Sequence, residues 1–192
     1  IDTWPGTVGA SDNAYGCAML VEFGRWFKEH PPDRTVRLVW FTGEELDCRG
    51  SRAYVERHGG ETQNIILYVN VDSGISIEHG KSWVAVSGGN QLLKAVEILV
   101  DRLKEGVKVH KLTNPDYDTT AFAERGIPTV SVCARLEGPL PHPHLPTDRF
   151  DKLDERKIKF NGGLSLAIIA AGAMGKLSLV RPDDLGRDYE GD

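Results

Sequence analysis

Short apolar, β-branched runs alternate along the chain with amphipathic stretches, a pattern that predicts an α/β domain on a largely parallel sheet. Thr35–Thr42 (TVRLVWFT), Asn64–Val71 (NIILYVNV), Trp83–Ser87 and Thr129–Ala134 (TVSVCA) read as strands. Between them the apolar spacing becomes helical. Leu20, Phe23 and Phe27 recur on one face of a segment capped by Asp12 or Asn13, which runs to about Lys28 before His30-Pro31-Pro32 stops it. A second helix covers Ser51–His58 ahead of Gly59-Gly60. A third opens at Asn90, with Leu92, Val96, Leu99 and Leu103 as its apolar stripe and Gly106 as its end. The last runs from about Glu155 to Leu177, with Gly162-Gly163 as the place for a bend.

Composition narrows what such a domain does. Of its 192 residues 40% are hydrophobic and 27% charged, so it can bury a continuous core without cross-links. Cys17, Cys48 and Cys133, an odd number at irregular spacing, are then expected simply to fill space. A net charge of -5 with no cluster of Lys and Arg argues against a nucleic-acid surface. The longest apolar run, Leu164–Ala173, is broken by Ser165 and Gly172 and falls short of the ~20 residues that span a bilayer. The first residue is Ile1 rather than Met, as expected of a trimmed or partial chain, and cellular location is not legible.

The informative residues are acids that fall where apolar runs end. TVRLVWFTGEE leads into Gly43, Glu44 and Glu45, and NIILYVNVD leads into Asp72. In open α/β sheets ligands bind beyond the carboxyl ends of the strands. Two parallel strands would therefore aim these three carboxylates into one crevice, where they repel one another unless a cation sits between them. Asp12 lies in GASDNAYG, a Gly-rich turn entering a helix. Alone it reads as an N-cap; beside the strand-end acids, a carboxylate held at a helix start suits the bridging of two cations. The Pro-rich segment PHPHLPTDRFDKL supplies His142 and His144 as nitrogen donors. Carboxylates with imidazole, and no cysteine cluster, suit zinc, cobalt or manganese in a catalytic site.

Five pieces in one order, GASDNAYG, RTVRLVWFTGEELDCRGSRAYV, NVD, YDTTAFAERGIP and HLPTDRFDKL, resemble the di-zinc exopeptidase family of the MH clan. That family includes secreted bacterial aminopeptidases, aminopeptidase Y, glutamate carboxypeptidase and the glutaminyl cyclases, and the resemblance covers nearly the whole chain. It implies a three-layer αβα fold with a mostly parallel central sheet. Residues 1–180 would form a catalytic domain lacking its N-terminal strands and helix, and residues 181–192 a loosely ordered tail.

The resemblance also implies two zinc ions, with cobalt or manganese as substitutes, and peptide substrates. Asp12 resembles the carboxylate that bridges both metals, Glu45 a terminal ligand of one and Asp72 a terminal ligand of the other. His144 resembles the imidazole that joins Asp72, because His144, Pro146 and Asp148 fit the family pattern His-x-Pro-x-Asp; His142 is the alternative. Glu44 resembles the general base. Asp2 stands where an upstream His-x-Asp motif places its second-shell carboxylate, which puts the histidine before Ile1. Without that histidine the chain is expected to hold one metal tightly, at Asp12, Asp72 and His144. Asp118 falls at the family's Ser-Asp-His position, with Tyr117 and Thr120 differing around it, and is a candidate to line the pocket. An aminopeptidase is the favoured activity. A carboxypeptidase, with Arg135 reading a terminal carboxylate, a glutaminyl cyclase and a non-catalytic relative are the alternatives. The crowding of charges at Asp12, Glu44, Glu45, Asp72 and His144 argues against the last.

Overall fold

A computed structural model of the chain describes residues 3–72, 79–103, 105–112, 117–136 and 144–175. Four strands form one sheet in the order β1-β4-β2-β3, where β1 is Tyr68–Asn70, β2 His79–Ser87, β3 Lys108–Lys111 and β4 Thr129–Leu136. β1 runs parallel to β4, and β2 parallel to β3. The central pair, β2 and β4, is antiparallel, with Trp83 opposite Cys133 and Ala85 opposite Ser131. The sheet is thus mixed but mostly parallel, as the alternating pattern predicts.

Alternation along the strands sorts the core into two layers. On one face Val84 and Val86 of β2 and Val130 and Val132 of β4 pack with Leu92, Val96 and Val100 of α4 (Asn90–Asp101) and with Leu164 and Ile168 of α6 (Glu155–Ala173). On the other, Val55 of α2 (Arg49–Arg57) meets Ala121 and Phe122 of α5 (Thr119–Ala123), with Ile127 beside them. β1 shows the division residue by residue. Val69 packs against the first cluster and its neighbour Tyr68 against the second, where its ring stacks on Phe122. This is the helix–sheet–helix layering expected of the chain.

The helices fall where the periodicity puts them. α1 covers Tyr15–Glu29, buries Phe23 and Phe27, and stops at His30 before the two prolines. Its first turn is tied by the Asn13 side chain, whose Oδ1 accepts the Gly16 N–H at 2.9 Å, so Asn13 rather than Asp12 serves the helix start. Asp154 caps α6, accepting from Arg156 and Lys157 N–H. That helix runs unbroken through Gly162, where an added Cβ would collide with the Met19 sulfur. The glycine there permits close packing on α1 rather than a bend. Gly59-Gly60 does not end the helical stretch but opens a further short turn of helix, α3 (Gly59–Thr62). None of the described helices is long and apolar enough to cross a membrane.

Two strand expectations need correction. No ladder pairs residues 35–43 with another strand among the described residues, and the ladder in Asn64–Val71 is confined to Tyr68–Asn70. Apolar, β-branched composition marks a run that fits a sheet, but the strand itself requires a partner backbone. Here both runs line a cleft of about 780 Å³ whose walls also include Asp12, Glu44, Glu45 and Asp72. Conversely β3 went unread, because KVHK carries a single inward apolar residue, Val109, between charged neighbours. Asp2, His142 and the segment 181–192 lie outside the described residues, as does the expected last turn of α6 at Leu177.

Candidate metal centre

Three chain segments bring the acids together, and each is fixed by backbone chemistry. Gly43, at φ 76°, turns the chain after the apolar run and starts a tight helical turn, Glu44–Leu46. Asp47 and Cys48 then take left-handed backbone at φ 64° and 53°, and α2 begins. Cys48 N–H donates to Glu44 O and Arg49 N–H to Gly43 O, both at 2.9 Å, which closes the turn that presents the two glutamates. Gly50 lies so close to Thr42 that a Cβ would overlap its carbonyl oxygen, so α2 seats directly on the end of the apolar run.

Asp12 lies in a helical turn, Ala10–Ala14, in which it and Asn13 depart from helical backbone. Asn13 Nδ2 donates to Val71 O at 3.0 Å, and Gly16 approaches the same carbonyl too closely to admit a side chain. Those contacts bind the Asp12 turn to the residue preceding Asp72. From the opposite end of the sequence, the buried Asp148 accepts the Ser11 N–H at 2.8 Å and the Asp12 N–H at 3.0 Å.

The result is a cluster of donors. His144 Nε2 stands 3.3 Å from Asp12 Oδ2 and 3.2 Å from Glu45 Oε2, and one ligand atom from each of the three lies within 4.8 Å of the others. The Glu45 side chain is 8% exposed and that of His144 34%, so the group is closed on the glutamate side and open on the imidazole side. The His144 ring stacks on Trp4, centroids 4.7 Å apart and planes at 12°. The structure therefore groups His144 with Glu45 and Asp12, whereas the sequence pattern had joined it to Asp72. Asp72 stands outside this group.

Asp72 is nevertheless part of the same electrostatic problem. Burial pushes its carboxyl well above the usual carboxylate range, and the charges of Asp12, Glu44, Asp118 and Glu45 push it further. Its Oδ1 is enclosed without a hydrogen-bond partner among the described residues, and so is Glu45 Oε1. Enclosed carboxylate oxygens are costly to leave unsatisfied, and several facing one another more so. A divalent cation bound by Asp12, Glu45 and His144 would offset the mutual repulsion of the carboxylates gathered there. The residues present thus fit a metal, with hard oxygen and borderline nitrogen donors of the kind zinc accepts.

The sequence matches peptidase family M28 over residues 1–169. The chain belongs to that family. It is 38% identical over 55 residues to Aminopeptidase YwaD of Bacillus subtilis, a stretch covering 29% of this chain and 12% of that protein. To Carboxypeptidase Q of Xenopus laevis it is 28% identical over 138 residues, 69% of this chain and 28% of the relative. Its fold matches that of BSAP, a zinc aminopeptidase from Bacillus subtilis, with a TM-score of 0.78 and 20% identity, over 93% of this chain and 46% of that one. The chain therefore spans about half the length of that structure and a smaller part of both curated relatives.

Around the cluster of this M28 chain, Asp118 is 8% exposed at the start of α5, where its charge bears on Asp72, Tyr68 and Cys48. The cysteines are free. Burial foremost pushes the Cys48 and Cys133 thiols up to about 12, which keeps them protonated at neutral pH. Arg135 falls near the end of β4. Two residues of evident consequence escaped the sequence reading. Asp148 entered it only as the last position of His-x-Pro-x-Asp, and Trp4 not at all; an aromatic two residues past the expected metal-side Asp2 was the available sign.

Proposed function

We propose that this chain carries the catalytic part of a metal-dependent exopeptidase, of aminopeptidase type. The observation that carries the reading is the convergence of Asp12, Glu45 and His144, from three segments far apart in sequence, into one cluster of ligand atoms. Membership of a peptidase family supports it. Asp12, Glu45 and His144 would hold one zinc ion, three protein ligands with an open position. Asp72, together with Asp12, would contribute to a second zinc site. A bound divalent cation supplies Lewis acidity, polarising a carbonyl and lowering the pKa of water.

The chain's own residues do the rest. Glu44, next to a ligand but outside the donor group, takes a proton from the attacking water and returns it to the leaving amine, a role worth ~10²–10⁴-fold in rate. The negative cluster receives the free α-amine of a peptide, which is why the N-terminal end is the favoured one.

Adjacent glutamates allow the reading to be tested in one experiment. Glu44→Gln is expected to cut hydrolysis of amino-acid p-nitroanilides by ~10²-fold or more with zinc content unchanged, whereas Glu45→Gln lowers zinc content. Near-normal turnover by Glu44→Gln would remove it as the base. Hydrolysis of N-blocked peptides in preference to free-amine substrates would instead favour a carboxypeptidase.

A further inference from the structure

We infer that Asp148 is a positioning residue that docks the His144 loop onto the Asp12 turn, so that the two halves of the donor cluster are assembled before any metal arrives. The inference rests on the reading of Asp12, Glu45 and His144 as a metal site, and adds what builds it.

His144 and Asp12 are remote in sequence, and no strand or helix joins them. What joins them is the carboxylate of Asp148, buried at 4% exposure, whose Oδ1 accepts from Ser11 N–H at 2.8 Å and whose Oδ2 accepts from Asp12 N–H at 3.0 Å. A third bond runs alongside, from Ala10 N–H to the Asp148 main-chain oxygen at 3.3 Å. Asp148 is in turn fixed to the histidine's neighbour, its N–H donating to Leu145 O at 2.9 Å. One tight turn thus carries both His144 and the carboxylate that grips the backbone of Asp12.

Two consecutive N–H groups on one carboxylate form a charge-assisted, two-point contact with a fixed direction. It orients the Asp12 peptide, and hence the side chain that leaves it, toward the imidazole. The carboxylate does not lie in the donor group itself. Its two oxygens are spent on backbone, and its effect on a metal passes through Asp12.

Asp154 gives an internal control. It too accepts two backbone N–H groups, those of Arg156 and Lys157, but at the start of α6 and without contact to Ser11 or Asp12 among the bonds it makes there. Asp148→Asn keeps the shape and one acceptor oxygen but turns an NH₂ toward one of the two donors. It is expected to weaken zinc binding by about 10–100-fold, the usual cost of losing a group that orients a ligand. Asp154→Ala is expected to lower the metal-free melting temperature while leaving zinc affinity within about twofold.

Zinc dissociation constants by competition with a chelating dye, with circular dichroism as the check on folding, decide the matter. Weakened binding in folded Asp148→Asn, with Asp154→Ala unaffected, bears the inference out. Unchanged affinity in Asp148→Asn, or an equal loss in Asp154→Ala, overturns it. Failure of the unsubstituted protein to bind zinc overturns the metal site itself. If Asp148→Asn does not fold, hydrogen exchange of the Ser11 and Asp12 amides in the unsubstituted metal-free protein replaces it: strong protection supports preassembly, and free exchange until zinc is added contradicts it.

Discussion

The two halves of the molecule are held by different forces. Around β2, β4, α4 and α6, apolar side chains meet on a ladder paired without a break from Ser82 to Ser87, with Val84, Val86, Val96, Val130 and Ile168 essentially shut off from solvent. At the other end, residues 35–45 and 64–72 carry apolar runs that line a cleft and finish in carboxylates. There, besides the packing of Phe41, Ile65, Tyr68 and Val69 on the apolar clusters, the fixed points at the acids are hydrogen bonds and close backbone approaches: Asn13 on Val71, Gly16 on Val71, Gly50 on Thr42, Asp148 on Ser11 and Asp12. The first region stabilises the fold. The second gathers like charges, which destabilise the protein in the absence of a cation, and its own hydrogen bonds and close approaches hold it to that arrangement.

If that division is right, substitutions in the two regions separate stability from metal binding. The largest effect expected is on the apolar side. Ile168→Ala, which removes a side chain with 0% exposure, is expected to lower unfolding free energy by ~2–5 kcal/mol. Urea denaturation reads the loss, and zinc affinity of the remaining folded protein should be unchanged. A selective fall in zinc affinity would break the comparison.

Next in size, Gly16→Ala forces a methyl into Val71 O and the Asn13 side chain. A cost of ~1–3 kcal/mol is expected, together with weaker zinc binding, because the displaced turn carries Asp12. Stability lost with zinc affinity intact would show that the Asp12 turn is not positioned from Val71.

The smallest effect has an unusual sign. Burial and neighbouring charge raise the Asp72 carboxyl in the folded state. A carboxyl whose folded pKa exceeds its unfolded value, ~3.9, binds its proton more tightly when folded. The metal-free protein therefore loses stability as pH rises from the unfolded pKa through the folded one. Asp72→Asn is expected to flatten that decline in melting temperature measured with a chelator present, and at neutral pH to melt above the unsubstituted protein. An equally steep decline in the variant would mean that Asp72 is not the group under strain.

The sequence disclosed the two regions unequally, for reasons these forces explain. Helices α1 and α4 were legible because their apolar residues repeat at helical spacing. Asp12, Glu45, Asp72 and His144 stood out as candidates because a carboxylate in a Gly-rich turn or after an apolar run, or a histidine in a Pro-rich segment, is a local feature. Their partnership was not. Whether His144 meets Glu45 or Asp72 depends on how the segment at Asp148 folds back onto Ser11, a contact between residues 137 apart made to backbone N–H groups that every residue possesses. The run at Thr35–Thr42 misled for a related cause, since its residues suit a strand but a ladder needs a neighbour.

The central claim is that Asp12, Glu45 and His144 form one cation site. Zinc titration of the metal-free protein against His144→Ala, Glu45→Gln and Asp72→Asn tests it most directly, with affinity read for each bound equivalent. The account predicts that one tight equivalent survives in Asp72→Asn and disappears in both His144→Ala and Glu45→Gln. Loss of that equivalent in Asp72→Asn with retention in Glu45→Gln would return His144 to Asp72 and contradict the grouping described here.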